Sequence, residues 1–325
     1  MSERWMLETR GLKKYFPAGG GRTLHALDGV DLRIRPGRTL GVVGESGCGK
    51  STLGRTILRL TEPTEGQILL DGGEITGLKR EELRRLRRKM QIIFQDPYAS
   101  LDPRMTVEDA IAAPMLVNRM FSTRGEVYAR VDELMETVGL APRNAALFPH
   151  EISGGLRQRV GIARALATDP KFIVCDEPVS ALDVSVQAQI LNLLMDLQEE
   201  MGVTYLFITH DLSVVKHISH DIAVMYLGQC VEYGPTAEIF RRPAHPYTRA
   251  LLAAIPTPSL AARDRELQVI RGEVVSPIDP AEGCRFAPRC PFAGQACNQR
   301  QVQREMGEGH FVMCCRAEQI DDRSR

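Results

Sequence analysis

The sequence predicts an α/β fold: parallel strands alternating with helices, a helical subdomain between two of the strands, and a small cysteine-rich C-terminal extension. Three observations lead there. Short apolar runs at Thr39-Leu40-Gly41-Val42-Val43, Phe172-Ile173-Val174-Cys175, Val203–Ile208 and Ile222–Leu227 read as strands buried on both faces. Helix-spaced segments separate them, which is the alternation of a parallel sheet. Beyond about residue 255 the periodicity fades into Pro-, Gly- and Cys-rich sequence, read as a separate appendage.

Residues 5–43 open the chain as β structure, with Ala26–Ile34 alternating at period 2 before an Arg35-Pro36-Gly37 turn. Lys14-Tyr15-Phe16-Pro17 places two aromatics ahead of it. A helix is expected from Lys50 towards Leu60, then a strand and turn over Thr64–Gly72. The basic segment 79–89 reads as a helix with a solvated face, because Glu81 and Glu82 interleave its arginines and the whole chain is neutral. Met90–Phe94 is a strand, and residues from about 105 to 168 are helical, with Gly139 ending one helix and Ser153 capping another. Apolar Val186, Ile190, Leu193, Leu194 and Leu197 mark a further helix.

The 325 residues carry 41 Lys+Arg against 41 Asp+Glu, so no global field draws the chain to nucleic acid or an anionic membrane. No apolar run approaches the roughly 18 residues of a spanning helix, and the N-terminus lacks the apolar stretch of a secretory signal. The expectation is a cytosolic protein that meets a membrane only through partners. Of eight cysteines, Cys48, Cys175 and Cys230 read as packing residues inside apolar or glycine-rich elements. Cys284, Cys290, Cys297, Cys314 and Cys315 crowd into residues 284–325, which in a reducing compartment points to a metal more than to disulfides.

The chemistry centres on Gly44-Glu45-Ser46-Gly47-Cys48-Gly49-Lys50-Ser51-Thr52, which fits G-x-x-x-x-G-K-S/T after a strand and before a helix. Glycines let backbone N–H groups close on phosphate oxygens, and the helix N-terminus adds its positive dipole end. Lys50 is placed to reach the β/γ-phosphates and Ser51 to hold Mg²⁺. Downstream, Asp176 and Glu177 end an apolar strand: the first carboxylate suits Mg²⁺, the second suits polarising a water. Gln95 follows another strand, Ser153-Gly154-Gly155 opens a helix, and Thr209-His210-Asp211 ends a third strand.

In this order, over nearly the whole chain, these motifs resemble the nucleotide-binding subunit of an ABC transporter. The resemblance implies an ABC-type ATPase core of the P-loop NTPase class over residues 1–255, with its helical subdomain at about 96–168 and a C-terminal region at 256–325. It makes Gly44–Thr52 the Walker A motif, Gln95 the Q-loop, Ser153-Gly154-Gly155 the signature, and Asp176-Glu177 the Walker B pair. Ser180–Asp183 becomes the D-loop and His210 the switch histidine. The catalytic residues are then Glu177, His210 and Gln95, and Mg²⁺ is held by Ser51, Gln95 and Asp176. Phe16 falls where the family stacks adenine, with Tyr15 the second choice. Family members close head-to-tail as dimers, so the signature serves the partner's ATP. Leu156 departs from the family, which usually carries Gln there, and removes a polar side chain facing that nucleotide.

His245-Pro246-Tyr247-Thr248-Arg249-Ala250-Leu251-Leu252 and the cysteine-rich tail resemble bacterial dipeptide and oligopeptide importers, and the Walker motifs their F-type subunit. This implies a heterodimer with a second ATPase subunit, two transmembrane permeases, a substrate-binding protein, no nucleic acid, and the cytoplasmic face of the inner membrane. Importers of nickel, glutathione or other small solutes are the alternative. A soluble ABC ATPase of translation or DNA repair, or an exporter ATPase, is a further one. Cys284-x₅-Cys290-x₆-Cys297-x₁₆-Cys314 lacks the tight C-x₂-C pairs of zinc ribbons and fits a 4Fe–4S cluster better, as in importers it resembles. Zinc and no metal stay open. Cys314 is preferred over Cys315 because His310-Phe311-Val312-Met313-Cys314 matches the family's H-x-V-x-C.

Overall fold

The computed structural model describes residues 4–255, 272, 275–307 and 309–322. The domain boundary expected after residue 255 falls where residues outside the described ones begin. Contacts divide the chain into two compact units: one of residues up to 6, 34–38 and 77–208, the other of 7–33, 39–76 and 209 onward.

In the second unit, β1 (Leu7–Pro17) and β2 (Thr23–Ile34) are joined across a glycine-rich turn. Period-2 alternation buries Val30, Leu32 and Ile34, as the sequence predicts, whereas Leu27 is buried out of phase with them, across Gly29 at φ +76°. After β3 (Thr39–Val43) and α1 (Lys50–Ile57) come β4 (Glu65–Leu70) and β5 (Gly73–Glu74). These build an antiparallel sheet in the order β2-β1-β4-β5.

The first unit takes over with α2 (Arg80–Leu86) and β6 (Met90–Ile93), then α3 (Pro97–Ser100), α4 (Val107–Val117), α5 (Arg124–Thr137) and α6 (Gly154–Leu166). Side-chain oxygens cap four of these helices, from Asp96, Thr106, Thr123 and Ser153, each satisfying N–H groups that a helix start leaves without partners. Gly139, at φ +69°, follows α5 as the expected stop. Next are β7 (Phe172–Asp176), α7 (Val184–Met201, capped by Asp183) and β8 (Thr204–Ile208). β6, β7 and β8 pair in parallel, Met90 opposite Phe172 and Asp176 opposite Ile208.

Back in the second unit, α8 (Leu212–Ile218) lies directly on β3, where a Cβ on Gly41 would meet Val215 at 2.4 Å. β9 (Asp221–Tyr226) pairs in parallel with β3, and β10 (Gln229–Pro235) pairs antiparallel with β9. α9 (Thr236–Arg241) and α10 (Pro246–Ala253) follow, then β11 (Arg304–Gly307), β12 (His310–Val312) and α11 (Ala317–Asp322). β12 pairs with β10, Val312 opposite Glu232. The tail expected to stand apart as an appendage is therefore woven into the sheet that carries β3. Buried Glu232 secures the join, accepting hydrogen bonds from the N–H groups of Ala244 and His245 and pairing with His310 Nε2 at 2.7 Å.

Candidate active site

The expected site residues divide between the two units. In the first, β7 ends in Asp176, whose side chain is buried, and the chain turns at Glu177. Glu177 has φ +49°, a left-handed conformation that costs a non-glycine residue on the order of 1 kcal/mol or more. Its N–H donates to the Ile208 carbonyl at 2.9 Å, anchoring that turn to the end of β8. The carboxylate is aimed by Gln95, whose Nε2 donates to Oε2 at 3.0 Å. Gln95, Asp176 and Glu177 are thus brought together.

The residues expected to form the signature lie in the same unit. Ser153 Oγ accepts from the Leu156 N–H at 3.4 Å, making Ser153 the N-cap the sequence predicts. Gly155 sits so close to α7 that a Cβ there would meet Val186 Cγ1 at 2.7 Å. Leu156 occupies the first turn of α6, half-buried. Ser180, in the segment expected to be the D-loop, donates from Oγ to the Glu177 carbonyl at 3.1 Å.

In the second unit, residues 44–49 curl between β3 and α1. Gly44 and Gly49 take φ values of +153° and +104°, and a Cβ on either would lie 2.2 Å from a backbone carbonyl, of Met225 and Ala26 respectively. Lys50 is 5% exposed, its Nζ donating to the carbonyls of Gly44 at 2.8 Å and Glu45 at 3.0 Å, so the ammonium crowns the loop. Ser51 and Thr52 open α1. His210 is exposed; its neighbour Thr209 donates its N–H to the Val42 carbonyl at 3.1 Å, which sets the histidine segment at the end of the strand feeding the loop. Tyr15 stacks on His25 with centroids 4.1 Å apart and donates its hydroxyl to Asp28, an environment of burial and negative charge that pushes that hydroxyl above its ordinary range. Phe16 carries only the Lys14 ammonium, 4.7 Å from its ring centroid, among these contacts.

Cys284, Cys290, Cys297 and Cys314 line one cavity, joined by Cys315 and closed by Phe286 and Phe292. All eight cysteines are free, and Cys48, Cys175 and Cys230 are buried as packing residues. The expected metal site is not seen: among the described residues no group of three or more His, Cys, Asp or Glu is arranged to hold a metal ion. Burial pushes the Cys284 and Cys314 thiols up to about 11.

A family profile described as ABC transporter matches residues 27–180, and one described as Oligopeptide/dipeptide transporter, C-terminal region, matches residues 231–297. The chain is 49% identical to the oligopeptide transport ATP-binding protein AppF of Bacillus subtilis over 322 residues, covering 96% of this chain and 98% of AppF. The chain belongs to the ABC transporter ATP-binding proteins of the oligopeptide/dipeptide family. It is likewise 48% identical to the oligopeptide transport ATP-binding protein OppF of Escherichia coli, covering 97% of each. The dimeric, post-hydrolysis structure of the ATP-binding cassette MJ0796 bound to ADP and Pi superposes with a TM-score of 0.66 at 33% identity, over 71% of this chain and 99% of that one. The protein is an ATPase coupled to transport. Among the described residues no helix is long and apolar enough to cross a membrane.

Reading the sequence did not single out Tyr247, Arg285 or Arg289, of which Tyr247 and Arg289 bond to Glu45 and Arg285 to Asp28. Tyr247 stood inside a motif quoted only for its resemblance; the arginines had no local signal, being ordinary cations between cysteines.

Proposed function

We propose that this chain is one of two ATPase subunits of an importer of dipeptides and oligopeptides, paired with a second, related ATPase. The pair drives two permeases, supplied by a substrate-binding protein, from the cytoplasmic face of the inner membrane. The observation that carries this reading is the joining of a full set of hydrolysis motifs to a C-terminal region matching that of oligopeptide/dipeptide transporters. The domains are read as 1–255 and 256–325. Exposed Phe94, Tyr98, Leu116, Val117 and Phe121 lie beside the Q-loop and on the helical subdomain, an apolar surface suited to a permease helix.

On this reading Phe16 stacks on adenine, the N–H groups of residues 44–52 cradle the phosphates, and Lys50 turns from its carbonyls to the γ-phosphate. Ser51, Gln95 and Asp176 would supply oxygen donors to Mg²⁺, which when bound would neutralise charge on the phosphates. Glu177, aimed by Gln95, accepts a proton from the attacking water, and His210 holds the γ-phosphate side. Ser153, Gly154 and Gly155 present N–H donors at the start of α6 to the second subunit's nucleotide, so hydrolysis needs the dimer.

The cysteine cavity suits a 4Fe–4S cluster better than zinc. Thiolates round four irons stand farther apart than thiolates sharing one ion, and Cys284, Cys290, Cys297 and Cys314 surround a common space. When bound, such a cluster supplies a structural crosslink and the positive charge that deprotonates these thiols.

The test is a pull-down of the tagged subunit from solubilised native membranes, with iron and zinc assayed on the same sample and peptide uptake followed in a deletion strain. Two permeases, a second ATPase, about four irons per chain and lost peptide uptake are expected. Intact peptide uptake with lost nickel or glutathione uptake would move the assignment to those importers. Recovery with ribosomes or DNA and no permease would overturn it.

A further inference from the structure

We propose that Arg289 is a positioning residue for ATP: reaching from the cysteine-rich segment, it holds the second residue of the phosphate loop in its binding geometry. Arg285 does the same for the strand that carries Phe16.

Glu45 is gripped at two points. Its backbone N–H donates to the Tyr247 hydroxyl at 2.9 Å, so α10 fixes the peptide plane. Its carboxylate takes a forked pair of bonds from Arg289, Nη1 to Oε2 at 2.8 Å and Nη2 to Oε1 at 3.1 Å. Such a fork fixes orientation as well as distance, which a single ammonium cannot do.

Arg289 is itself held. Its side chain is 6% exposed, its guanidinium stands over the Tyr226 ring at 5.9 Å, and Nη1 lies 3.3 Å from the Tyr226 hydroxyl. Tyr226, Tyr247 and Phe286 pack on one another with centroids 4.7 to 5.4 Å apart, so the platform is aromatic and rigid. Four residues earlier, Arg285 donates to the Leu227 carbonyl and to the Asp28 carboxylate. Asp28 also accepts from Tyr15, the residue before Phe16. The short segment from Arg285 to Arg289, ending in a 3-10 turn at Ala287–Arg289, therefore carries one arginine to each end of the expected nucleotide site.

A loop that binds phosphate through backbone N–H groups has to be ordered for binding, and any ordering left until ATP arrives is subtracted from affinity. Arg289 supplies that order through Glu45. The inference is independent of the solute carried and of the cluster. Because Arg289 directly precedes Cys290, which lines the cysteine cavity, it also makes the tail part of the ATP site.

The experiment titrates full-length wild type, Arg289→Gln, Arg289→Lys and Glu45→Gln with Mg-ATP by calorimetry and measures KM and kcat on the subunit assembled in its transporter. Folding is checked by melting without nucleotide. Arg289→Gln is expected to raise Kd and KM about tenfold while kcat stays within about twofold, because Gln95 and Glu177 are untouched. Arg289→Lys recovers part of the loss. Glu45→Gln matches Arg289→Gln, and the double variant adds nothing further. Wild-type Kd in folded Arg289→Gln, or a loss confined to kcat, overturns the proposal. If Arg289→Gln does not fold, Glu45→Gln, which keeps the arginine on Tyr226, decides alone: an unchanged KM refutes it.

Discussion

Replacing Gly44 by alanine puts a Cβ 2.2 Å from the Met225 carbonyl oxygen and 2.8 Å from Cys48 Sγ. Ordinary contact begins at 3.4 Å, so the start of the phosphate loop has to retreat by about 1 Å. Met225 cannot give way, because it lies in β9 opposite Cys230 of β10 while the same strand pairs with β3 on its other side. The conformation at φ +153° adds about 1–3 kcal/mol of strain for a residue with a Cβ. Two readouts follow. Thermal unfolding without nucleotide should shift down by several degrees, as a loss of this size does in a chain of this length. ATP turnover, followed by phosphate release at saturating ATP, should fall about a hundredfold, since a reacting group misplaced by about 1 Å costs that much. A Gly44→Ala protein that melts with wild type and turns over ATP at the wild-type rate would refute the argument that close approach to β9 shapes the loop.

Glu177→Gln keeps the Gln95 neighbourhood and removes the base; ATP binding should persist while turnover drops by about 10²–10⁴, and undiminished phosphate release would remove Glu177 from that role. His245 is buried with Nδ1 accepting the Tyr247 N–H at 3.1 Å, and burial, outweighing nearby Glu232, lowers it to about 4. The folded protein therefore resists a proton that the unfolded chain takes up near 6.5. Stability is full above that pH and falls as pH drops towards 4, by about 3 kcal/mol from this residue. Urea unfolding of His245→Asn, which keeps a cap acceptor, should lose that much less than wild type between pH 7 and 4; parallel losses would count against it. Gly161, inside α6, has open space where a Cβ would go, so Gly161→Ala should raise stability by about 0.5–1 kcal/mol, and a lower melting temperature would contradict the helix argument.

Much of the molecule is written locally. The phosphate loop needs glycines and a lysine at fixed spacing between a strand and a helix, and β3, β7, β8 and β9 announce themselves as apolar runs because parallel strands are buried on both faces. Ser153 is legible as a cap because a cap is a relation between residues three apart. Asp176 and Glu177 were legible as strand-end carboxylates, while the bond from Gln95, 82 residues away, was not. β10, β11 and β12 escaped because their residues are ordinary until a partner strand is given, and register is a non-local property. The metal reading shows the limit: the cysteines are visibly clustered in the sequence, but the cavity they line together is made by the fold. The sequence by itself determined the ATPase chemistry, since its motifs are short-range patterns whose physics acts within a few residues. Only the tertiary structure decided that the cysteine-rich tail holds the phosphate loop, because Arg289 meets Glu45 across 244 residues and Arg285 meets Asp28 across 257. A charge carries no record of its partner until folding closes the loop between them.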